Sequence, residues 1–255
     1  MIKFEHIDIH GWEAAIRGMR NPMNSWEKSD SLFLKFEDTE YNISTLGDIN
    51  GNRALIRKNE MDSALEDYGA SIGPNDHALM MKLAKAGSEH SKYRRFITVT
   101  MDIMAPLYWW KEFDTYKVGT VANSCSTMHK IHAKEFELDD FSHEHLIESG
   151  YMDKPTDIAI KNLVAGPKAI LGLNIDMLNI CRNHYLKTKD KETWWQMIQL
   201  LPSSYNQKRT VMLNYEVLAH ICQQRKDHKL DEWHDFCDMI KTLPYSEIIT
   251  LEEDK

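Results

Sequence analysis

Apolar and polar residues alternate most regularly at the start of the stretch from Phe96 to Lys130, and the rest of the chain is read outward from it. Ile97, Val99, Met101 and Ile103 fall on one side of an extended chain and Thr98, Thr100 and Asp102 on the other, which predicts a half-buried strand. Ala105 and Pro106 end it, and proline suits the first turn of the aromatic-rich helix predicted over 107–114. A loop of small and hydroxyl residues follows over 115–127. Toward the N-terminus, residues 1–9 alternate as a strand with one slip of register, Gly11 breaks it, and 12–19 read as a helix stopped by Arg20-Asn21-Pro22. SLFLKFED reads as a strand and GDINGNRA as a turn cluster. Residues 76–86 read as an amphipathic helix, with Asp76 as the expected N-cap and Gly87 as the stop.

Toward the C-terminus the pattern predicts helices over 132–150, 168–186, 191–201, 214–225 and 230–243, a helix and turn over 153–167, a strand over 205–213 and a frayed acidic tail. Glu135, Asp139, His143, Glu144 and His145 resemble metal ligands at first sight. Their spacing is not HExxH, and adjacent helical residues point to different faces, so they read as a solvated face with no metal site. Strands and helices mix without strict alternation, and no repeat or linker marks a boundary. The expectation is one α+β domain over 1–255, a mixed or antiparallel sheet with flanking helices.

Composition narrows the partners. A 255-residue chain with 42% hydrophobic and 27% charged residues has a globular balance. Its formal charge of −8 argues against steering toward nucleic acid or an anionic membrane, and no apolar run is long enough to span one. Cys125, Cys181, Cys222 and Cys237 are far apart and form no CxxC pair, which predicts reduced thiols in a cytoplasm. Trp109, Trp110 and Trp233 are expected to supply apolar surface beyond the needs of one core.

Arg225 stands out from periodicity alone. At about 100° per residue, Asn214, Leu218, Ile221 and Arg225 share one narrow helix face, apolar in its middle. An arginine there calls for an anion or carboxylate; otherwise it snorkels to solvent or joins a structural ion pair. Cys125 is either a nucleophile, if its thiolate is favoured, or an inert core residue.

Three ordered blocks, about half the chain, carry a resemblance. A strand runs into Ala105-Pro106, a short helix leads to Thr115-Tyr116-Lys117, and seven residues then precede Cys125, with Ser126 beside it. Leu201-Pro202 is followed by a strand, then by a helix from Asn214 to Arg225, and His90 lies in GSEHSKYRRF before the central strand. This frame resembles the flavin-dependent thymidylate synthases (the ThyX family), in which Arg-His-Arg stands where Thr115-Tyr116-Lys117 stands here and a serine falls at Cys125 or Ser126. The frame is kept and the letters differ.

The resemblance implies a ThyX-like fold, bound FAD, a pyrimidine nucleotide such as dUMP, a folate one-carbon donor with NADPH, and a homotetramer. It places His90, Thr115, Tyr116, Lys117, Asn123, Asn214 and His220 near the flavin, Glu112 and Arg225 on the nucleotide, and Cys125 or Ser126 at the catalytic position. Lysine for arginine at Lys117 keeps a charge but loses the planar fork. Ile198 and Gln199 stand before Leu201-Pro202 where the family has an arginine, and Thr127 or Met128 stands where another would be. A changed nucleotide or one-carbon step is therefore as compatible with the sequence as thymidylate synthesis. The rival expectation is a non-catalytic homologue that has kept the fold.

Overall fold

The computed structural model describes residues 2–148 and 166–252. The element expected over 153–167 lies outside them up to residue 165, as do the last three residues of the acidic tail. Among the described residues two four-stranded sheets are present, with strand orders β1-β6-β8-β7 and β4-β3-β2-β5. Their strands are β1 (Lys3–His10), β2 (Leu32–Asp38), β3 (Ile43–Gly47), β4 (Arg53–Arg57), β5 (Ala70–Ser71), β6 (Thr98–Pro106), β7 (Val121–Ser124) and β8 (Asn206–Asn214). The helices are α1 (Trp12–Arg20), α2 (Ser63–Tyr68), α3 (Pro74–Lys85), α4 (Leu107–Phe113), α5 (Pro167–Thr188), α6 (Lys191–Leu200), α7 (Tyr215–Arg225), α8 (Asp231–Lys241) and α9 (Glu247–Thr250). The mixture of helices and sheets is the expected α+β class.

The chain packs as two compact units: Met1–Lys3, Ile103–Thr115 and Asn123–Arg209 form one, and Phe4–Asp102, Tyr116–Ala122 and Thr210–Lys255 the other. In the first unit, Leu171, Ile175 and Leu178 of α5 and Met197 of α6 bury themselves with Ile131, Phe136 and Phe141. Asp190 caps α6 by accepting from the Glu192 and Thr193 N–H groups. Ile170, Leu173, Met177 and Ile180 are the opposite stripe of α5, and all four are exposed. The helix expected over 132–150 is absent. Among the described residues of that stretch only Leu138–Asp140 forms a 3-10 turn. Acidic residues at mixed spacing there imitate a helix face without an apolar stripe to bury, and Lys134 pairs with Asp140 across the turn instead.

In the second unit, the slip of register in β1 is absorbed at His6, a non-glycine residue at φ 53°. Gly11 follows at φ 97°, and a Cβ there would stand 1.9 Å from the Phe96 carbonyl oxygen, so backbone proximity as well as torsion requires glycine. The second sheet is an antiparallel meander: Phe33 pairs with Gly47 and Leu34 with Leu46, and a register shift between Leu34 and Phe36 leaves Lys35 as a bulge. Strands β3 and β4 flank the turn cluster of GDINGNRA and were not expected, because β4 is almost entirely exposed and shows no alternation.

Asp76 corrects an expectation. Gly73 is the N-cap of α3 and Pro74 opens it. The capping acceptor is Asp30, which takes the Asn75 and Asp76 N–H groups at 2.8 and 3.1 Å. The Asp76 side chain is fully buried and pairs with Arg20 Nε at 2.6 Å. Its second oxygen accepts from the Ser29 and Ser31 hydroxyls and from the Asp30 and Ser31 N–H groups. Trp109, Trp110 and Trp233 are a second correction. Each is fully buried, so they leave no apolar surface for subunit contacts. Trp109 and Trp110 instead pack with Phe113, their neighbour on α4.

Removing one member of a buried, hydrogen-bonded ion pair leaves the other charge uncompensated. Asp76→Ala is expected to cost about 3–5 kcal/mol of unfolding free energy. Urea denaturation checks it, and a loss below about 1 kcal/mol, the scale of a surface pair, contradicts the buried-pair account.

Candidate functional site

Helix α7 is placed by its first turn. Asn214 caps it, its Oδ1 accepting from Val217 N–H at 3.0 Å. The Tyr215 N–H donates to the Ile97 carbonyl, and its hydroxyl donates to the Pro244 carbonyl at 2.7 Å. Glu216 pairs with Arg94 Nε at 2.9 Å and accepts from the Ser91 hydroxyl. Leu218 and Ile221 are fully buried, so the inward stripe read from the sequence is real.

With that face fixed, the last turn of α7 meets the segment after α4. Arg225 is half-buried, and its Nε donates to the Tyr116 hydroxyl oxygen at 2.8 Å. Its guanidinium carbon lies 4.7 Å from the ring centre of Trp233 and 5.6 Å from that of Tyr116, within cation–π range. The Tyr116 hydroxyl donates onward to Gln224 Oε1 at 3.0 Å, and the Gln224 amide nitrogen lies 2.9 Å from His220 Nε2. Arginine and amide nitrogens only donate, so the relay runs from Arg225 through Tyr116 to Gln224, whose amide faces His220 Nε2. Such a chain polarises each link in turn. Tyr116 and His220 also meet edge-to-face, with ring centres 6.2 Å apart.

Tyr116, His220 and Arg225 are thus brought together, and Gln224 joins them without having been read from the sequence. Its only signal was its place one turn after His220. Asn214 stands nearby: a Cβ on Gly119, which has φ 76°, would lie 3.0 Å from Asn214 Nδ2. Between Tyr116 and Gly119, Lys117 is exposed, and just beyond them the Thr120 hydroxyl is buried with no partner. His90 is exposed in the turn after α3, its N–H bonded to the Gly87 carbonyl.

The remaining candidates lie in the first unit. Thr115 donates its hydroxyl to the Glu112 carbonyl at the end of α4. Asn123 and Cys125 are exposed, so Cys125 is not an inert core thiol. The Ser126 hydroxyl accepts from the Met128 and His129 N–H groups at 3.3 and 2.9 Å, closing a tight turn. Gln207 and Arg209, neither foreseen, build on this strand edge. Buried Gln207 donates to the Cys125 carbonyl at 2.8 Å and accepts from Arg209 Nε at 3.0 Å. Arg209 also donates to Asp114 at 2.7 Å and lies 4.2 Å over the Trp110 ring. Two residues apart on β8, the pair shares one strand face, a periodicity visible in the sequence but mute about partners.

The suspected metal-like group is committed locally. His143 Nδ1 lies 2.8 Å from the Phe141 carbonyl, and Glu144 accepts from the Ser142 hydroxyl and the His143 N–H. Glu5, His6 and Asp102 bring one ligand atom each within 4.8 Å of one another, mostly in solvent.

Solved structures share this architecture over nearly the whole chain. A flavin-dependent thymidylate synthase ThyX from Helicobacter pylori, complexed with FAD and dUMP, superposes with a TM-score of 0.58 at 13% identity, covering 98% of this chain and 97% of that one. The chain has the fold of the flavin-dependent thymidylate synthases. A second ThyX structure from the same organism, with FAD and dUMP, gives 0.59 at 12% identity over 99% and 98% of the two chains. A UMP/dUMP methylase, PolB from Streptomyces cacaoi, bound with 5-Br dUMP, gives 0.53 at 13% identity over 98% and 95%. No family model and no curated protein matches the sequence. At these identities the likeness is one of ThyX-like fold, with a divergent signature at Thr115-Tyr116-Lys117. Among the described residues no helix is long and apolar enough to cross a membrane.

The relay makes Tyr116 the joint of this site. Tyr116→Phe removes one hydroxyl that both accepts from Arg225 and donates to Gln224, and is expected to destabilise the fold by about 1–3 kcal/mol. Thermal or urea denaturation beside wild type checks it; an unchanged midpoint shows that water replaces both bonds at no cost.

Proposed function

We propose that this chain is a divergent ThyX-like protein that binds FAD and a pyrimidine nucleotide, with the last turns of α7 and residues 116–120 as a principal contact. The observation that carries the reading is the assembly of Tyr116, His220, Gln224 and Arg225, three of them at positions that the ThyX resemblance assigns to ligands, in a fold whose solved neighbours hold FAD and dUMP. The residues fit a flavin nucleotide. Tyr116 and His220 offer ring edges and hydrogen bonds, Lys117 and Arg225 offer positive charge for phosphate, and the buried, unpartnered Thr120 hydroxyl lacks the partner that a ligand would supply.

A bound reduced flavin supplies a two-electron reduction, and the proposed reaction is one-carbon transfer to the uracil ring of dUMP or a related nucleotide, with a folate donor and NADPH. The chain's own part is to orient and to balance charge. Arg225 is held by Tyr116 and Trp233, so it meets a phosphate without first ordering a long side chain. His220 is held at Nε2 by the Gln224 amide. Glu112, when ionised, is acceptor-only and selects a base edge that donates. Cys125 or Ser126 takes the family serine position; of the two, Cys125 is the exposed thiol and Ser126 the turn acceptor.

One observation favours the alternative, a non-catalytic homologue. Arg225 is already engaged by a hydroxyl and two rings, and Ile198, in place of an expected arginine, packs on the apolar cluster of the first unit. Self-association as a homotetramer is also proposed, and it now rests on the exposed α5 stripe rather than on tryptophans. The four free cysteines suit a reducing cytoplasm.

Purified protein is expected to take up FAD, seen as bound flavin absorbance, and then to bind dUMP or UMP in calorimetric titration. Arg225→Ala is expected to weaken nucleotide binding by roughly 1.5–3 kcal/mol, with Arg225→Lys recovering part of it. Failure to bind FAD or nucleotide supports the non-catalytic reading. Equal affinity across the three proteins removes Arg225 from the nucleotide site. Light scattering of wild type and Leu173→Lys tests the assembly: a multimer that the variant shifts to smaller mass supports it, and a monomeric wild type contradicts it.

A further inference from the structure

The second unit holds a pocket of about 580 Å³, open to solvent, beside α7. Its lining includes Cys222 of α7 and Cys237 of α8 together with Lys85, Lys226 and Lys241. Both cysteines are buried, 8% and 4% exposed, yet both border the cavity, and their thiols hydrogen-bond each other. An inert core cysteine is wrapped in apolar side chains. These two share a wall with Lys85, Lys226 and Lys241. Lys241 is paired with Asp238 at 2.9 Å, which opposes the Cys237 thiolate, while Lys241 itself favours it. Positive charge beside a thiol stabilises its thiolate and attracts an anion. Of the acids on the same wall, Glu216 is paired with Arg94, and Glu252 adds one negative charge.

We propose that Cys222 and Cys237 form a thiol–disulfide exchange site that accepts a small anionic disulfide of the glutathione class into this cavity and becomes an internal disulfide joining α7 to α8. The pKa of Cys222 is raised first by its hydrogen bond to Cys237 and then by burial. The same hydrogen bond lowers the pKa of Cys237, and Lys241 adds to that lowering against the cost of burial. Cys237 is therefore the attacking thiolate. Its sulfur bonds to one sulfur of the incoming disulfide, whose S–S bond breaks, and the first small thiolate leaves and takes a proton. Cys222 then loses its proton to solvent and attacks Cys237 Sγ, expelling the second small thiolate. Two protein thiols are oxidised and one small disulfide is reduced to two thiols, so atoms and electrons balance. Thiols already in hydrogen-bond contact need only a small approach to reach bonding distance.

The placement has a consequence for the ligand face. Cys222 lies one turn before Arg225, and Cys237 one turn after Trp233, so the bond would clamp the two helices whose side chains stack in the site.

Glutathione disulfide added to the intact protein, followed by trypsin without reduction and mass spectrometry, tests this directly. The expected product is peptide 210–225 joined to peptide 230–241, two hydrogens lighter than the separate pair and released by dithiothreitol. Cys237→Ser should abolish the link and leave no glutathione on Cys222; Cys222→Ser should trap a mixed disulfide at Cys237. These readings concern connectivity, so a folded wild type suffices for the primary result. Added salt should slow the reaction with glutathione disulfide, because the lysines attract its carboxylates, and should not slow that with cationic cystamine. Glutathionylation of Cys125 alone, with no link between 222 and 237, overturns the proposal. Equal salt dependence for both reagents overturns the anionic preference.

Discussion

A guanidinium stacked on Trp233 and bonded to the Tyr116 hydroxyl holds the end of α7 and the segment at residue 116 together. Taking a charge partly out of water is costly unless donors and rings compensate it, so Arg225 constrains three pieces of chain at once. Residue 116 must turn inward, α8 must bring Trp233 to the last turn of α7, and the exposed Gln224 must accept from Tyr116. The anchoring at the other end of α7 makes this possible. Asn214, Tyr215 and Glu216 each spend their polar groups within the first turn, and three turns of rigid helix transmit that position to Arg225.

The first unit shows the same arrangement with other residues. Arg209 lies over Trp110 and is bonded to Asp114 and Gln207, and Gln207 in turn holds the Cys125 backbone. A cation set on a buried tryptophan recurs in both units. It keeps arginine ordered and partly desolvated, the condition under which it recognises a planar anion best. Arg209 and Arg225 are each fixed in this way within their own unit.

Much of this was legible in the sequence where the physics is local. The α7 stripe of Leu218 and Ile221 follows from periodicity and stands in the structure, while Asn214, read as the first residue of that face, is the cap before the helix. Even the slip in β1 marked a real irregularity at His6. Errors arose where a distant partner decides. Asp76 has the composition of a cap, but Asp30, far away in sequence, caps the helix while Arg20 claims Asp76. The acidic stretch after His132 buries Phe136 and Phe141, but these do not recur at helical spacing, so no α-helix forms there among the described residues. Tryptophan count suggested a sticky surface, whereas exposed aliphatics on α5 supply one. Gln224, Gln207 and Arg209 were silent because a hydrogen-bond relay exists only once the fold has paired them.

Hydrogen–deuterium exchange with and without FAD tests the central claim, that the Tyr116–Arg225 face is where the ligand sits, most directly. The account predicts slowed exchange on FAD addition in peptides covering 116–120 and the last two turns of α7. Unchanged exchange in both segments under FAD concentrations that protect another part of the chain, or that protect none, would contradict it.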